Sequence, residues 1–381
     1  MQQRRWAILT GEYPPDPGGV SDHTQQLARG LALAGDEVHV WAPPARGAQT
    51  PDPLVRVHRL RDRFGVSSLR SISAELARFT NETRILVQYV PHAFGWHSMN
   101  FGLCVWLAFQ QGSPIDVIFH EVAYPIRANQ PLRHSMLGVA HHLMALSLSN
   151  ASDRIFASTT AWDELLAPTL SGGKRTRLIP SPSNLPVEVD SKVSALIRQR
   201  YAPEPQAALI GHFGTFGGHL TPLLGRILPR IMQAPSRHML LIGRGGNAFL
   251  SDFLSRNPNC AGRIHTVLDR PAQEVAEHLA ACDLVVQPYS DGLTTRRSSL
   301  MAALALGVPC VATRGHATEP GWSGSGAVAV VDPQPQAVEQ AVAELLCDGA
   351  RRARMSLAAR QFYREHFSIE SVVRTVRQVQ P

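Results

Sequence analysis

The chain has 381 residues, of which 44% are hydrophobic and 18% are charged, and this composition is typical of a globular protein with two domains. The formal net charge is +7, and lysine occurs only at Lys174 and Lys192, so arginine supplies the excess. This charge favours anionic ligands or a lipid surface, but it is too diffuse to indicate nucleic-acid binding. The five cysteines lack CxxC spacing, which excludes the usual zinc and disulfide patterns and favours a reducing cytoplasm.

The first 42 residues predict a βαβ unit with a ligand loop after its first strand. Residues 6–10 are a buried apolar run, and residues 11–20 form a proline-rich loop that ends in Gly18 and Gly19. Adjacent glycines let the backbone approach a ligand closely, although a plain turn is the alternative. Ser21 and Asp22 offer N-cap oxygens for a helix that runs to about residue 34. The GxGxxG spacing is absent, so the loop does not predict a nicotinamide dinucleotide site.

A later strand ends in two candidate ligands. Residues 84–88 and 117–120 predict further strands, and His120 and Glu121 follow at the carboxyl end of the second one. In open parallel sheets ligands bind at this edge, where an imidazole can orient a hydroxyl and a carboxylate can accept from one. A structural histidine is the alternative. No HExxH motif occurs, and the pair His141-His142 is predicted to lie on a helix surface.

The rest of the first half of the chain predicts two helices, a strand and a hinge. Residues 100–110 are apolar but too short to cross a membrane, and they predict a buried helix. A helix at residues 132–149 and a strand at 154–158 follow. The segment LIPSPSNLP, residues 178–186, predicts an interdomain hinge. The expected division is an N-terminal domain at 1–186, a C-terminal domain at 187–367 and a terminal helix at 368–381.

The second half repeats the strand and glycine-loop pattern. Strands are predicted at residues 207–213, 238–242 and 264–268, and the first two are followed by GTFGGH and GRGG. The first loop presents backbone N–H groups and the Thr215 hydroxyl, and the second presents Arg244, to a phosphate. These loops therefore predict a nucleotide-binding edge.

The stretch at residues 288–313 is the most informative part of the sequence. A strand exit leads into a polar loop with Asp291, Gly292, Arg296 and Arg297, and an Ala/Leu helix and another strand follow. Arginines beside a helix N-terminus suit phosphate, because guanidinium groups and orphan N–H groups both favour negative charge. Solvated surface arginines are the alternative.

Three pieces of the sequence together resemble the retaining family 4 glycosyltransferases of the GT-B fold. PPDPGGVSDHTQQLARGLALAGDEVHV is similar to the opening of that family, ASDRIFASTTAWDELL with RLIPSPSN to the end of its first domain, and ALALGVPCVAT to its AMAxGxPVVAT segment. The resemblance covers roughly residues 6–367. It implies an α/β protein with two Rossmann-like, doubly wound domains that face each other across a cleft. It also implies hexose transfer from a nucleotide-diphosphate sugar, UDP by default, with retention and without a metal or other cofactor.

The resemblance also assigns roles to residues. Gly18 and Gly19 would lie beside the donor phosphate and the acceptor, His120 would contact the sugar, and Asp291 would replace the first glutamate of the E-x7-E region. The residues implied in catalysis are His120, Asp291 and Arg296. Those implied in substrate binding are Gly18, Gly19, Glu121, Thr215, Phe216, Gly217, Gly243, Arg244, Leu268, Gly292, Leu293, Thr294, Thr295, Arg297, Ser298 and Ser299.

The sequence departs from the family pattern at the donor site. The second glutamate is absent, so Ser298 or Ser299 is expected to replace it, and the Arg and Lys of the family's GRLxxxKG region are missing. We expect Arg296 or Arg297, with Arg244, to supply the lost positive charge. These losses also support the alternative of a catalytically degenerate binding or partner subunit. A GT-B epimerase or phosphorylase is less favoured, since neither lysine lies on a ligand edge.

The sequence leaves the acceptor open among a glycan, a lipid-linked molecule and a small molecule. A peripheral contact with the inner face of the membrane through Arg59, Arg61, Arg63 and Arg70 is one expectation, and a solvated basic face is the other.

Overall fold

The structure is a computed structural model that describes residues 3–48, 51–79, 83–110, 112–218 and 220–378. It divides into two compact units, residues 1–180 with 372–381 and residues 181–371. The division at Pro180 lies before the predicted boundary at Pro186, and the last residues belong with the first unit. The final residues of the predicted terminal helix, 379–381, lie outside the described part of the chain.

The first unit is built on a parallel sheet of seven strands, counted over the described residues, in the order β3-β2-β1-β4-β5-β6-β7. Its central strands are apolar runs, and Trp6, Ile8 and Leu9 of β1 are fully buried because helices cover both faces of the sheet. The strands are β1 Arg5–Thr10, β2 Glu37–Ala42, β3 Arg56–Arg59, β4 Thr83–Tyr89, β5 Ile115–Phe119, β6 Arg154–Ala157 and β7 Thr176–Leu178.

Helices connect these strands and pack their apolar sides on the sheet. The helices are α1 Gly19–Leu33, α2 Val66–Leu76, α3 Phe101–Ala108, α4 Leu132–Ala151 and α5 Thr160–Leu166. One core cluster joins β1, β4 and β5 to α3 and α4 through residues such as Val87, Leu103 and Met144. In β5, the buried Asp116 carboxylate accepts hydrogen bonds from Arg84 at 2.8 Å and from Arg154 at 2.9 Å, and these two cations balance its charge.

The second unit contains a parallel sheet of six strands among the residues described, in the order β10-β9-β8-β11-β12-β13. Its core has two parts, one on each face of the sheet, so helices cover both sides. The strands are β8 Ala208–Phe213, β9 Arg237–Ile242, β10 Ile264–Val267, β11 Leu284–Gln287, β12 Cys310–Thr313 and β13 Ala329–Val331. The helices are α6 Ser191–Tyr201, α7 Thr221–Ile231, α8 Gly246–Arg256, α9 Ala272–Ala280, α10 Ser298–Leu306, α11 Pro335–Cys347 and α12 Gly349–His366. The last helix, α13 Ile369–Arg377, begins in the second unit, and its residues from Val372 onwards belong to the first unit.

Both sheets have the doubly wound order in which the strand sequence reverses beside the first strand. In the first unit β1 lies between β2 and β4, and in the second unit β8 lies between β9 and β11. The loops that leave these strands at their carboxyl ends flank the point of reversal, where such sheets bind ligands. Candidate residues from both halves of the sequence therefore lie on the ligand edges of their sheets.

The structure corrects three local predictions. Helix α1 begins at Gly19, with Gly18 at its N-cap position, so Ser21 and Asp22 lie inside its first turn. Ser21 instead donates its hydroxyl to the Asp16 carbonyl at 2.7 Å. Helix α3 is only half buried, since Phe101 is 41% and Val105 is 55% exposed, and Phe109 directly after it is 76% exposed. His141 is buried, whereas the sequence predicted a surface position.

Short edge strands were not predicted. The strands β3, β7 and β13 have three or four residues each, and all of these residues are partly or fully exposed. Such strands lack the continuous apolar run by which central parallel strands are recognised. Within the described residues no helix is long and apolar enough to cross a membrane.

Candidate active site

The glycine-rich loops after β8 and β9 pack directly on each other. The Phe216 amide donates to the Arg244 carbonyl at 3.0 Å, and the Gly214 amide to the Ile242 carbonyl at 3.0 Å. Gly243 has φ +125°, and a Cβ there would lie 2.0 Å from the Gly214 carbonyl oxygen. Only glycine fits this contact, so its role is to let the two loops approach each other.

The two loops leave different side chains at the surface. Arg244 is exposed, and so are Thr215 and Gly217. Phe216 instead packs against Phe249, with ring centroids 5.5 Å apart, and meets the buried His212 edge-on. The loops thus present a cation and a hydroxyl at the sheet edge, while the predicted ligand Phe216 has a packing contact.

The loop after β11 contains an ion pair between two predicted site residues. The Arg297 guanidinium donates to the Asp291 carboxylate, and it also lies over the Tyr289 ring, 4.6 Å from the centroid. Asp291 and Arg297 therefore neutralise each other. Of the two arginines expected to supply charge to a diphosphate, Arg297 is thus already paired with a carboxylate.

Arg296 is the free cation of this loop. Its side chain is exposed, and no ion pair of it is found among the described residues. Helix α10 begins two residues later at Ser298, and no side chain caps its first turn within the described chain. The Ser298 amide donates to the Arg296 carbonyl at 3.1 Å and the Leu300 amide to the Arg297 carbonyl at 2.9 Å, so these two N–H groups are engaged. Arg296 and the positive end of the α10 dipole together still form a place suited to an anion.

Ser299 is engaged with its own unit. Its hydroxyl lies 2.9 Å from the hydroxyl of Tyr289, while Ser298 is exposed. Burial raises the pKa of Tyr289 well above its ordinary value, so the phenol is protonated and can donate to Ser299. Of the two serines expected to replace the ribose-binding glutamate, Ser298 is therefore the freer one.

The loops after β11 and β12 are joined by backbone hydrogen bonds. The Ala317 amide donates to the Asp291 carbonyl at 2.8 Å, and the Glu319 amide to the Leu293 carbonyl at 2.9 Å. Gly292 has φ +105°, and a Cβ there would lie 2.2 Å from the Thr318 hydroxyl. The Leu293 amide donates to that hydroxyl at 3.3 Å, so this N–H group, in a residue that the resemblance implies in substrate binding, is already engaged.

Glu319 is a residue that the sequence reasoning missed. It is 6% exposed, and its carboxylate accepts from the Thr295 amide at 2.7 Å and from the Thr295 hydroxyl at 3.2 Å. Thr295 is thus held by Glu319 instead of being available to a substrate. The signal was present, because Glu319 lies in the loop at the carboxyl end of β12, where the edge argument applies equally.

Two further predicted residues lie at the same edge. Thr294 is 6% exposed, and its hydroxyl has no hydrogen-bond partner within the described chain. Leu268 follows β10 and is partly exposed. The Gln287 side chain, at the end of β11, donates to the Phe213 carbonyl at 3.0 Å and ties β11 to β8.

His120 lies in a buried polar cluster in the first unit. Its Nε2 is 2.6 Å from the Gln88 side-chain oxygen, and its ring meets the His23 ring edge-on, with centroids 4.7 Å apart. Burial lowers the pKa of His23 to about 4, although the nearby Gln88 amide opposes this shift. His23 is therefore neutral at pH 7, and its two ring nitrogens lack hydrogen-bond partners within the residues described.

Glu121 lies beside a second histidine at the surface. His92 Nδ1 is 3.6 Å from the Glu121 carboxylate, and His92 Nε2 is 3.8 Å from that of Glu12. The hydrogen bond to Glu121 raises the pKa of His92 above its ordinary value. Residues from the ends of β1, β4 and β5 thus meet here, and sequence reasoning had not singled out Glu12 or His92 for this edge.

Gly18 and Gly19 differ in their surroundings. A Cβ on Gly18 would lie 2.4 Å from a Glu12 carboxylate oxygen, whereas a Cβ on Gly19 would have no atom within 4 Å. Gly19 opens helix α1 and is exposed. The open backbone at Gly19 fits the predicted approach of a ligand, and Gly18 lies against the Glu12 side chain.

No cluster of three His, Cys, Asp or Glu side chains able to hold a metal ion occurs among the described residues. The sites are thus built from hydroxyls, arginines, histidines and backbone groups on the ligand edges of two parallel sheets.

Each unit matches a glycosyltransferase family. Residues 18–182 match the family described as "Glycosyl transferase 4-like domain", and residues 207–348 match "Glycosyl transferases group 1". The chain combines these two glycosyltransferase domains in a GT-B fold. The expected glycosyltransferase family and the α/β fold class with two Rossmann-like domains are thereby confirmed, whereas retention and the altered E-x7-E region stay predictions.

Relatives of this glycosyltransferase extend over nearly its whole length. A Mycolicibacterium smegmatis protein named GDP-mannose-dependent alpha-(1-6)-phosphatidylinositol monomannoside mannosyltransferase is 23% identical over 93% of this chain and 92% of its own. Sucrose-phosphate synthase from Thermosynechococcus elongatus has a TM-score of 0.72 at 17% identity and covers 98% of this chain and 97% of its own. Anabaena HepE in complex with UDP and glucose has a TM-score of 0.66 at 14% identity, with 98% of each chain covered.

Proposed function

We propose that the glycosyltransferase moves a hexose from a nucleotide-diphosphate sugar to an acceptor hydroxyl, with retention at the anomeric carbon. The observation that carries this proposal is the uncapped N-terminus of α10 with the exposed Arg296 two residues before it. Both features favour a diphosphate, whose negative charge grows as the glycosidic bond breaks. Arg244, exposed in the loop after β9, supports the same role.

The donor nucleotide has two candidates. GDP-mannose is favoured by the mycobacterial relative, whose name states that dependence and which aligns over 93% of this chain. A UDP-sugar is the default from the sequence, and the HepE structure contains UDP. We place GDP-mannose first, because its support comes from a likeness in sequence and not from the fold alone.

The acceptor is proposed to be a lipid-linked molecule. The mycobacterial relative is named for a phosphatidylinositol monomannoside, and the exposed residues Gly19, Glu121 and His92 of the first unit could contact acceptor hydroxyls. A cytoplasmic location is proposed because all five cysteines are free thiols.

The proposed chemistry needs no metal ion. Arg296, Arg244 and the helix N–H groups would stabilise the departing diphosphate, and the leaving phosphate oxygen would accept the proton of the acceptor hydroxyl. Catalysis would then be electrostatic, with no strong enzymic base.

A panel of sugar nucleotides tests the proposal. We would incubate the full chain with GDP-mannose, UDP-glucose, UDP-galactose and ADP-glucose, with and without EDTA, and follow release of the nucleoside diphosphate. We expect the chain to turn over one of these donors, and EDTA should not abolish this turnover. NMR of the product should show the same anomeric configuration as in the donor. Inversion at the anomeric carbon would refute the retaining mechanism, and complete loss of turnover in EDTA would refute metal independence.

A second candidate is a degenerate glycosyltransferase that binds a ligand or partner without transfer. The ion pair between Asp291 and Arg297 favours it, since a paired carboxylate is less available to a sugar. Binding of a nucleotide without hydrolysis or transfer across the panel and a lipid-extract acceptor set would support this alternative.

A further inference from the structure

Helix α4 has two apolar faces, and only one of them packs on the sheet. Its buried face includes Met144 and Leu148, which belong to the core of the first unit. The opposite face carries Leu132, Met136, Val139, Leu143 and Leu146, which are 77%, 63%, 50%, 52% and 39% exposed. Their spacing of four and three residues keeps them in one stripe, about 21 Å long at the usual helical rise.

A second apolar group adjoins this stripe. Helix α3 packs against α4 and exposes Phe101 and Val105 at 41% and 55%, and Phe109, directly after the helix, is 76% exposed. Before α3, Trp96 is 59% exposed. The His141 ring of α4 lies 2.9 Å from the Ser98 carbonyl, which holds the turn containing Trp96 beside α4.

The loop before α4 completes the surface. Ile126 lies over Gly138 of α4, where an added Cβ would be 2.6 Å from its side chain, and Ile126 is 53% exposed. The Tyr124 amide donates to His141 at 3.1 Å. We call the exposed residues of α3, α4 and these two adjoining segments the apolar platform. These exposed apolar residues lie on two helices that pack against each other and on the segments before them, unlike the scattered single hydrophobic residues of an ordinary surface.

The charges of the platform select its partner. Residues 96–110 and 122–151 contain no Asp or Glu, while Arg127 and Arg133 are exposed. Pairing with a second copy would bring these arginines of two cationic chains together, whereas anionic lipid headgroups would balance them. Tryptophan and tyrosine at the border of an apolar surface also suit the region between lipid tails and water.

We propose that the apolar platform binds the surface of an anionic lipid bilayer. Helix α4 would lie in the plane of the interface, with Leu132 to Leu146 among the upper acyl carbons and Arg127 and Arg133 at the phosphates. The platform begins in the segments that follow β4 and β5, the strands that position His92 and Glu121. A lipid acceptor would thus reach the acceptor edge of the same unit from the bilayer. The proposal does not require transfer, so it can hold even if the proposed donor chemistry fails.

Vesicle flotation of the full chain without any donor tests the proposal. We expect it to float with vesicles of equal parts phosphatidylcholine and phosphatidylglycerol, and more weakly with phosphatidylcholine alone or in high salt. The double variant Met136→Glu with Leu143→Glu should bind at least about tenfold more weakly, because it places two charges in the apolar layer. The matched control is Leu196→Glu with Leu357→Glu, at residues 66% and 69% exposed in the second unit, and it should float like the wild type.

A second measurement locates the contact and guards against misfolding. Vesicles with brominated acyl chains should quench the emission of the wild type, and Trp96→Phe should remove most of that quenching while flotation persists. Failure of the wild type to float, or equal flotation of the double glutamate variant, would overturn the proposal. Light scattering decides the remaining alternative: a dimer that the double glutamate variant dissociates, together with no flotation, would assign the platform to a second copy.

Discussion

At the scale of single residues, the structure separates two arginines that the sequence presents as a pair. Arg297 is held by Asp291 and by the Tyr289 ring, whereas Arg296 is exposed before the first turn of α10. Their chemistry is identical, so only their surroundings distinguish them. The diphosphate contact is therefore assigned to Arg296 first, with Arg244 from the neighbouring loop.

Replacement of these arginines tests that assignment. We expect Arg296→Ala to weaken nucleoside diphosphate binding by about tenfold, because a charged hydrogen bond to phosphate is lost. Calorimetry with GDP and UDP measures the effect, and Arg226→Ala, at an exposed position of α7, serves as the control. Unchanged affinity in Arg244→Ala, Arg296→Ala and Arg297→Ala alike would show that the diphosphate binds elsewhere.

The buried His23 predicts a pH dependence of stability. Burial lowers its pKa from 6.5 to about 4, so between these values the unfolded chain binds a proton that the folded chain excludes. Stability is therefore lost progressively as pH falls through this window, and none of the loss is present above it. Between about pH 7 and pH 5 the free energy of unfolding decreases in the wild type and in His23→Gln. We expect the decrease to be about 2 kcal/mol smaller in His23→Gln.

Denaturant titrations at both pH values measure this difference. His366→Gln is the control, since the His366 side chain is 56% exposed and lies outside the buried polar cluster that contains His23. The buried His212 has the same lowered pKa of about 4 and leaves a pH dependence in every variant. Parallel pH profiles of the wild type and His23→Gln would contradict the prediction.

At the scale of elements, the strand-end loops of the second unit are fitted to each other. The loops after β8 and β9 meet at Gly214 and Gly243, and the loops after β11 and β12 meet at Gly292 and Gly315. Glu319 adds a side-chain contact by holding Thr295. The ligand edge is therefore a set of mutually supported loops, and the glycines serve loop packing as much as ligand access.

A Gly243→Ala substitution tests this fit. The added methyl would lie 2.0 Å from the Gly214 carbonyl oxygen at a φ of +125°, so one of the two loops must move. We expect a loss of at least about 2 kcal/mol in the stability of the second unit and weaker nucleotide binding. Gly217→Ala is the matched control, because its methyl would meet no atom within 4 Å. Equal stability of the two variants would show that Gly243 is not needed for the packing of the two loops.

At the scale of the whole molecule, the end of the chain belongs with its beginning. The division into units assigns residues 372–381 to the first unit, and the Arg377 guanidinium donates to the buried Asp36 at 3.1 Å. Trp6 of β1 donates to the same carboxylate at 2.9 Å. The terminal helix therefore completes the first unit, although the sequence separates it from that unit by the entire second sheet.

An Arg377→Ala variant should destabilise the first unit. We expect a loss of about 2 kcal/mol, because Asp36 would keep its charge in a buried position with one partner fewer. Differential scanning calorimetry should show a lower transition for one unit, and Arg374→Ala, exposed on the same helix, should leave it unchanged. A transition that stays in place in Arg377→Ala would show that the contact contributes no stability.

The sequence by itself determined the architecture and the strand ends at which the candidate site residues lie. Buried parallel strands are continuous apolar runs, and the polar residues that follow them mark their carboxyl ends; this local signal placed His120, Arg244 and Asp291 correctly at those ends. It also carried the resemblance to the glycosyltransferase family that the comparisons confirm. The short edge strands were not predicted from the sequence, because they lack such apolar runs.

Only the tertiary structure decided which of these residues have partners. The pairs Asp291–Arg297 and Glu319–Thr295, and the contact of His23 with His120, depend on how loops and helices from different parts of the chain meet. The exposed apolar face of α4 was not predicted for the same reason. An apolar pattern in the sequence does not show whether another part of the chain packs on that face. Side-chain pairing and burial are properties of the packed chain, and local composition does not encode them.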